Sequence, residues 1–255
     1  VPGKWGNCLQ FDAARQTMLV RTANAGESLP INQFGEFSVS LWVLGRTRAD
    51  GGTVLQTDGR VFSEGNNPNT TPLFNIGTHN SSTAPDATVD TFIRSDANVT
   101  SDHQHTVASA FDGVWHHILY TQQDLAGSPV GNLFVDGVLD ANPARPVRPL
   151  TLNTTTIGGI LRNAPSAWYT GQIDDVIVWN RALTAAEAML LATSPMPTPP
   201  ANLPPLAVNS FTSSMPELVL GDSAVLAWDV SKTATQIVID NGVGDVTAST
   251  IAGAG

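Results

Sequence analysis

The sequence predicts an all-β chain organised around a jelly-roll β-sandwich. Apolar residues recur at period two in several segments, turn-forming residues separate those segments, and only one late stretch carries a helical pattern. Composition agrees, with 22 Gly, 17 Pro and only 13% charged residues among 255. Thr, Asn, Ser, Gly and Val are plentiful while Lys and Glu are scarce, which suits strands and turns.

Taken in order, Phe37, Val39, Leu41 and Val43 alternate with Ser38, Ser40, Trp42 and Leu44, so one face of this strand belongs to a core. Ser63 to Asp86, rich in Asn, Thr, Ser, Gly and Pro, reads as a surface loop region. Trp115 to Tyr120 is a strong strand. Leu133-Phe134-Val135, Asp136-Gly137 and Val138-Leu139 predict a tight hairpin, because Asp-Gly supplies the positive φ angles of a type I′ turn. Thr156 to Gly159 ends a further strand. Thr170 to Leu183 reads as a buried strand and a turn, leading to a helix over 184–192 with Thr184 as N-cap and Glu187 completing a capping box.

The run Ser194 to Pro205 is a Pro-rich, semi-rigid linker. The domains are therefore predicted as 1–193, a linker over 194–206, and 207–255. In the tail Ala224, Leu226, Trp228 and Val230 share a strand face, Thr235 to Asp240 forms a second strand, and Asn241-Gly242 a turn. This resembles the opening strands of bacterial immunoglobulin-like repeats. A full sandwich of that kind takes about 100 residues, so the tail is a partial immunoglobulin-like β-sandwich and the chain reads as a piece of a longer protein. Opening on Val1 rather than Met points the same way.

The net charge is −10 and the only lysines are Lys4 and Lys232, which argues against nucleic acid or an anionic membrane surface as partner. No apolar run approaches a membrane span, so no membrane insertion is expected. The single Cys8 excludes a disulfide framework and a cysteine-built zinc site, and is expected to pack as a small hydrophobe.

Five segments carry a family resemblance: Gly3 to Asp12, Phe37 to Val43, Asp112 to His117, Leu133 to Gly137, and Ile173 to Leu183. Over residues 3–192 they resemble, in order, the strands of laminin-G-like domains in the concanavalin A-like lectin/glucanase superfamily. The resemblance implies a concanavalin A-like jelly roll, secreted or at the cell surface. Members bind glycans, bind proteins, cleave polysaccharides or space other modules, and fold alone does not choose among these.

Candidate sites follow. The adjacent carboxylates Asp174 and Asp175 interrupt an apolar strand, and buried acids need a partner. In similar jelly rolls a structural calcium sits where the opening and last strands meet. The resemblance therefore implies calcium at Asp174 or Asp175 with Asp12 nearby, through hard oxygen ligands. The double-calcium loop of pentraxins is not matched: Leu161 stands at its Glu position and Asn163 at its Asp position. The legume-lectin metal pattern fails too, since Arg94 follows Asp90 where an Asn ligand belongs. Laminarinase-like relatives cleave glycans with two Glu residues a few positions apart on one strand, and no two of Glu27, Glu36, Glu64, Glu187 and Glu217 share a strand. A lyase pair of Tyr120 and His116 is the surviving catalytic option. His103, His105, His116 and His117 are weighed as metal ligands and set below ordinary strand residues.

Sugar rings stack on exposed aromatic faces flanked by polar groups. The loop Arg162 to Ala167 presents Arg162 and Asn163 beside Trp168 and Tyr169, so these four and Trp42, on the Ser-rich face of its strand, are the ligand-binding candidates. Trp5, Trp115, Trp179 and Trp228 are expected in the core, and Glu64, Asn66, Asn67 and Asn69 are possible ligand groups of the long loop. The expected function is a non-catalytic module that binds a glycan or surface-protein ligand beside neighbouring modules of the same chain. The alternatives are a structural spacer and a polysaccharide-cleaving enzyme.

Overall fold

The computed structural model describes residues 1–25, 27, 29–33, 35–49, 52–79, 86–125, 128–141, 143–194, 208–214, 225–230, 238–239 and 244–246. It divides into two units, Val1–Met196 and Pro197–Gly255. The linker stretch 195–206, Glu217, Ala224 and the 241–242 turn lie outside the described residues. In the second unit the described residues form two antiparallel ribbons, Val208–Ser213 with Leu226–Val230 and Val238–Ile239 with Gly244–Asp245.

In the first unit the described strands are β1 (Leu9–Phe11), β2 (Leu19–Thr22), β3 (Phe37–Gly45), β4 (Arg60–Gly65), β5 (Leu73–Thr78), β6 (Thr88–Arg94), β7 (Gln104–Ser109), β8 (His116–Leu125), β9 (Ser128–Val135), β10 (Val138–Leu139), β11 (Thr154–Ile157), β12 (Ile160–Leu161), β13 (Pro165–Ser166) and β14 (Gly171–Trp179). One short helix, α1 (Pro30–Gln33), precedes β3, and a longer one, α2 (Ala185–Thr193), follows β14. Two six-stranded antiparallel sheets result, ordered β1-β14-β3-β8-β9-β10 and β2-β11-β4-β5-β6-β7, with β12 and β13 as a separate hairpin. No described helix is long and apolar enough to cross a membrane.

The core lies between the sheets. Phe37, Val39, Leu41 and Val43 of β3 face it with Ile118 and Tyr120 of β8, opposite Phe62, Phe74, Ile76, Val89 and Ile93 of the second sheet. Phe74 packs edge-on against Phe37 at 5.6 Å and against Tyr120 at 5.0 Å, tying the layers together.

Several local expectations hold. Asp136 and Gly137 take φ of 51° and 79°, as the type I′ turn requires. A Cβ on Gly137 would sit 2.6 Å from Met189 Cα, so glycine also admits α2 against this hairpin. Thr184 Oγ1 accepts the Glu187 N–H and the Glu187 carboxylate accepts the Thr184 N–H, completing the capping box.

The stretch read as a surface loop from Ser63 to Asp86 is corrected. It contains the end of β4 and all of β5, two central strands of the second sheet. Asn66, Asn67 and Asn69 hold the intervening turn: Asn66 Nδ2 donates to Thr151 O, Asn67 N to Asn153 Oδ1, and Asn69 Nδ2 to Asn66 Oδ1.

Glu64 lies opposite Phe74 and is 1% exposed. Its Oε1 accepts a bond from Thr155 Oγ1 at 2.9 Å, while Oε2 is buried without a partner. Desolvation pushes its pKa up to about 7 from the ordinary 4.5, against the bond from Thr155. The folded state then holds a proton that the unfolded chain releases, so stability falls as pH rises from about 4.5 to 7 and is level above. A difference of that size is worth about 3 kcal/mol. Denaturant unfolding of Glu64→Gln across pH 4 to 8 is expected to lack this slope and to exceed wild-type stability at pH 8.

Candidate functional site

The two sheets treat their outward faces differently. On the first sheet, Leu119 and Phe134 are covered by Leu183 and Ala188, with Trp179 and Leu191 packed alongside. Ser38 fixes this cover, its Oγ donating to Arg181 O at 2.8 Å and accepting the Leu183 N–H at 2.9 Å. Farther along the same face the N-terminal segment takes over. Trp5 packs edge-on to Trp42 at 6.1 Å, and Lys4 Nζ lies 4.5 Å from the Trp42 ring centroid.

The second sheet turns Ser63, Asn75, Asp90, Phe92 and Arg94 away from the core. After β11 the chain folds the β12–β13 hairpin over β4, with a main-chain or Thr bond at each end. Thr156 Oγ1 donates to Gly159 O at 2.8 Å, and Arg60 N donates to Ala167 O at 2.9 Å. Between hairpin and sheet lies a pocket of about 120 Å³. Its hairpin side is Ile160 and Arg162, and its sheet side is Leu73, Asn75, Phe92 and Arg94, with His103, Asp58 and Arg60 completing the lining.

Arg60 anchors the floor. It is 1% exposed, and Nη1 lies 2.6 Å from Asp90 Oδ2 while Nη2 pairs with Asp58 Oδ1. His103 Nδ1 donates to Asp90 Oδ2 at 2.7 Å and its ring stacks on Phe92 at 4.6 Å. Arg94 lies over Phe92, its guanidinium carbon 5.2 Å from the ring centroid. Arg60 Nε, Asn75 Oδ1 and Arg94 Nε are buried without hydrogen-bond partners in the protein. Desolvation, then the charge of Arg94, holds the Arg162 pKa below its ordinary value, with Asp58 opposing. The arrangement offers cations, an amide and a hydrophobic wall in one small recess, a set that binds and orients polar ligands.

The candidate residues are distributed as follows. Arg162 lines the pocket, Asn163 is exposed on the hairpin, and Trp168 is half-buried near Gly159. Tyr169 is removed from the ligand contacts because it is 0% exposed, packed edge-on to Phe111 at 6.0 Å. It needs glycine beside it: a Cβ on Gly45 or Gly171 would come within 2.2 or 2.6 Å of its hydroxyl. Trp42 is removed likewise, being 3% exposed beneath Trp5 and Lys4. Conversely Trp5, Trp115, Trp179 and Trp228, expected in the core, are only half-buried.

Neither acid of the Asp174-Asp175 pair enters the core. Asp174 is paired with Trp42 on the outward face, and the register then shifts before Ile177, with Asp175 at φ 45° in the bulge. Asp174 accepts N–H bonds from Trp5 at 3.3 Å and Asp175 at 3.0 Å. Asp12 is corrected: Phe11 pairs with Gly171, so Asp12 lies about 13 Å along the strands from Asp174, where it caps its own turn by accepting the Ala14 N–H. Asp174 and Asp175 instead share a cleft of about 360 Å³ with Asn7 and Cys8. Desolvation, then the charge of Asp174, raises the Asp175 pKa. Hard oxygen donors and two like charges in one cleft fit a calcium ion.

Neither catalytic arrangement weighed from the sequence is formed among the described residues. Glu64 is the one glutamate in a strand among the described residues. Tyr120 is core, its hydroxyl donating to Gln122 Oε1. His116 is held between Asp136 Oδ2 at 2.7 Å and Asp112 Oδ1 at 3.1 Å, the first bond chiefly raising its pKa. The four histidines weighed as metal ligands do not meet one another: His105 stacks on His79 at 4.0 Å and forms with it and Asp86 a group whose ligand atoms lie within 4.8 Å, His103 joins the pocket, and burial lowers the His117 pKa to about 4.

Comparison with known proteins agrees on fold. The Laminin_G_3 profile, described as the concanavalin A-like lectin/glucanases superfamily, matches residues 20–189. No curated protein sequence matches the chain. The binding domain of Paraclostridial Mosquitocidal Protein 1 is similar in structure, with a TM-score of 0.52 at 12% identity. That likeness covers 75% of this chain and 44% of the other, so the chain spans less than half of that domain. Domain 4 of AbnA, an extracellular GH43 arabinanase of Geobacillus stearothermophilus solved with arabinotriose, has a TM-score of 0.49 at 16% identity, covering 76% of this chain and 80% of that one. The Ruminococcus gnavus IT-sialidase CBM40, solved with α2,3-sialyllactose, has a TM-score of 0.49 at 15% identity, covering 69% and 98%.

The hydroxyl of Tyr169 is buried without a partner. Tyr169→Phe is therefore expected to raise unfolding free energy by about 1–2 kcal/mol and to leave ligand binding unchanged. Chemical denaturation checks the first outcome and calorimetric titration of any bound ligand the second.

Proposed function

The chain belongs to the concanavalin A-like lectin/glucanases superfamily, and from that premise we propose that it is a non-catalytic carbohydrate-binding module of a secreted or surface protein. The observation that carries this reading is the asymmetry of the sandwich. One outward face is closed by α2 and the N-terminal segment, whereas the other holds a recess walled by Arg94, Arg162, Asn75 and the Phe92–His103 stack. Guanidinium and amide groups bind sugar hydroxyls and acid groups, while apolar walls exclude water from them. The missing glutamate pair and the buried Tyr120 support binding without cleavage. The segment after residue 206 is proposed as the start of an immunoglobulin-like module, which makes neighbouring modules of the same chain further partners.

A glycan array with calcium present tests the reading. Wild type is expected to bind at least one glycan class and Asn75→Ala to weaken it about tenfold or more, while Trp42→Phe leaves it unchanged. A blank array for correctly folded protein would sink the proposal.

Calcium is proposed as a structural ion held by Asp174 and Asp175 with Asn7, where it would relieve the repulsion between the two carboxylates. An ion that binds only the folded state raises the melting temperature. Thermal unfolding is expected to rise by several degrees with calcium, to fall with a chelator, and to show neither change in Asp174→Ala. Equal melting with and without calcium would rule the ion out.

A further inference from the structure

The charges around the pocket do not balance. Arg60, Arg94 and Arg162 bring three guanidiniums, and Asp58 and Asp90 bring two carboxylates, both already engaged by Arg60. Among the described residues neither Arg94 nor Arg162 forms an ion pair with a carboxylate, and Arg94 lies on the Phe92 ring instead. This surplus stands on a chain whose net charge is −10, where acidic partners for a surface arginine are abundant. Two half-buried cations in one recess, offset only in part by Asp58, which Arg60 already engages, raise the energy of the empty site. The repulsion is visible in Arg162, whose pKa is lowered by desolvation and then by Arg94. Buried donors on the lining, Arg60 Nε and Arg94 Nε, also lack protein acceptors.

We infer that the pocket is an anion subsite, and that the glycan it takes carries a singly charged acid group, a carboxylate or a sulfate ester, seated between Arg94 and Arg162.

The inference rests on the carbohydrate-binding reading and specifies its ligand class. Geometry and charge both narrow the choice. A single negative charge cancels the surplus of one, whereas a phosphate monoester would bring about 1.5 to 2 charges. The volume of about 120 Å³ admits a single small substituent rather than a run of sugar rings. Guanidinium forks bind carboxylate and sulfate oxygens in pairs, which lysine cannot reproduce. Asn75 Oδ1, buried and without a partner, supplies an acceptor for a sugar hydroxyl beside the acid group. The rest of the sugar is then left to the Ile160 side and to the exposed Asn163.

The experiment uses the full chain on an array of uronate-containing, sialylated and sulfated oligosaccharides, each paired with its neutral backbone, followed by calorimetry. Acidic members are expected to bind at least tenfold more tightly than their neutral pairs, with several-fold weakening between 0.05 and 0.5 M NaCl. Arg94→Gln and Arg162→Gln are each expected to lose tenfold or more, and Arg162→Lys to recover part of that. Preference for uronate or sialylated members over sulfated ones, or the reverse, identifies the acid group. In the absence of ligand, Arg162→Gln is expected to melt at or above the wild-type temperature, whereas a merely structural arginine would lower it. A parallel arm titrates sodium acetate and sodium sulfate and follows the melting temperature of wild type against Arg162→Gln.

Equal binding of acidic and neutral members, or arginine variants that bind as wild type, would overturn the anion subsite and leave carbohydrate binding standing. A blank array with anion-dependent stabilisation that Arg162→Gln abolishes would support the anion subsite and overturn the carbohydrate reading. A blank array with no anion effect would overturn both.

Discussion

Four aromatic rings, Phe37 and Tyr120 from one sheet and Phe62 and Phe74 from the other, meet at centroid distances of 5.0 to 6.2 Å in the middle of the sandwich. Such edge-on pairs are directional as well as apolar, so they fix the rotation of each strand and not only its burial. Once Phe37, Phe74 and Tyr120 point inward, period two sends Ser38, Asn75 and Leu119 outward. Everything functional in the molecule follows from how those outward rows are then handled. One row is roofed by a helix pinned through Ser38, and the other is left with charged groups and a partial roof.

The parts of this plan visible in the sequence were those where local chemistry is unambiguous. The alternating β3 strand, the Asp-Gly hairpin and the Thr184 capping box each state their geometry within a few residues. The second sheet was not legible for a physical reason. β4 and β5 place polar Ser63 and Asn75 outward, and these look like solvated loop residues until the β12–β13 hairpin covers them. Burial there is created by a segment almost a hundred residues away, and no local pattern announces it. The reversed roles of Trp42 and Trp5 have the same cause, since the N-terminal segment that roofs Trp42 arrives from outside its strand. The Asp174-Asp175 pair was conspicuous, but alternation cannot reveal a bulge that gives the extra residue a positive φ.

The pocket shows the same limit in electrostatic form. In the sequence Arg94 is only a residue in the place of a metal ligand, and Arg162 is a ligand candidate only as a polar neighbour of Trp168. The fold brings both to one recess and assigns the nearby carboxylates to Arg60. A guanidinium surplus inside an acidic protein is thus a tertiary property, set by which charges are already paired rather than by their number. The formal charge of the recess is opposite in sign to the net charge of the chain, which favours anions at that one spot.

The hairpin that carries Arg162 is joined to the sandwich by bonds ending on the backbone oxygens of Gly159 and Ala167. Such bonds accept nearly any side chain at the hairpin's exposed positions. The scaffold and the recognition element are therefore separable in an evolutionary sense: residues 161–166 can be exchanged with little effect on the aromatic clasp beneath. A lineage built on this frame can drift from one ligand to another through a handful of substitutions in a single six-residue arch, and an engineer can randomise that arch as one would an antibody loop.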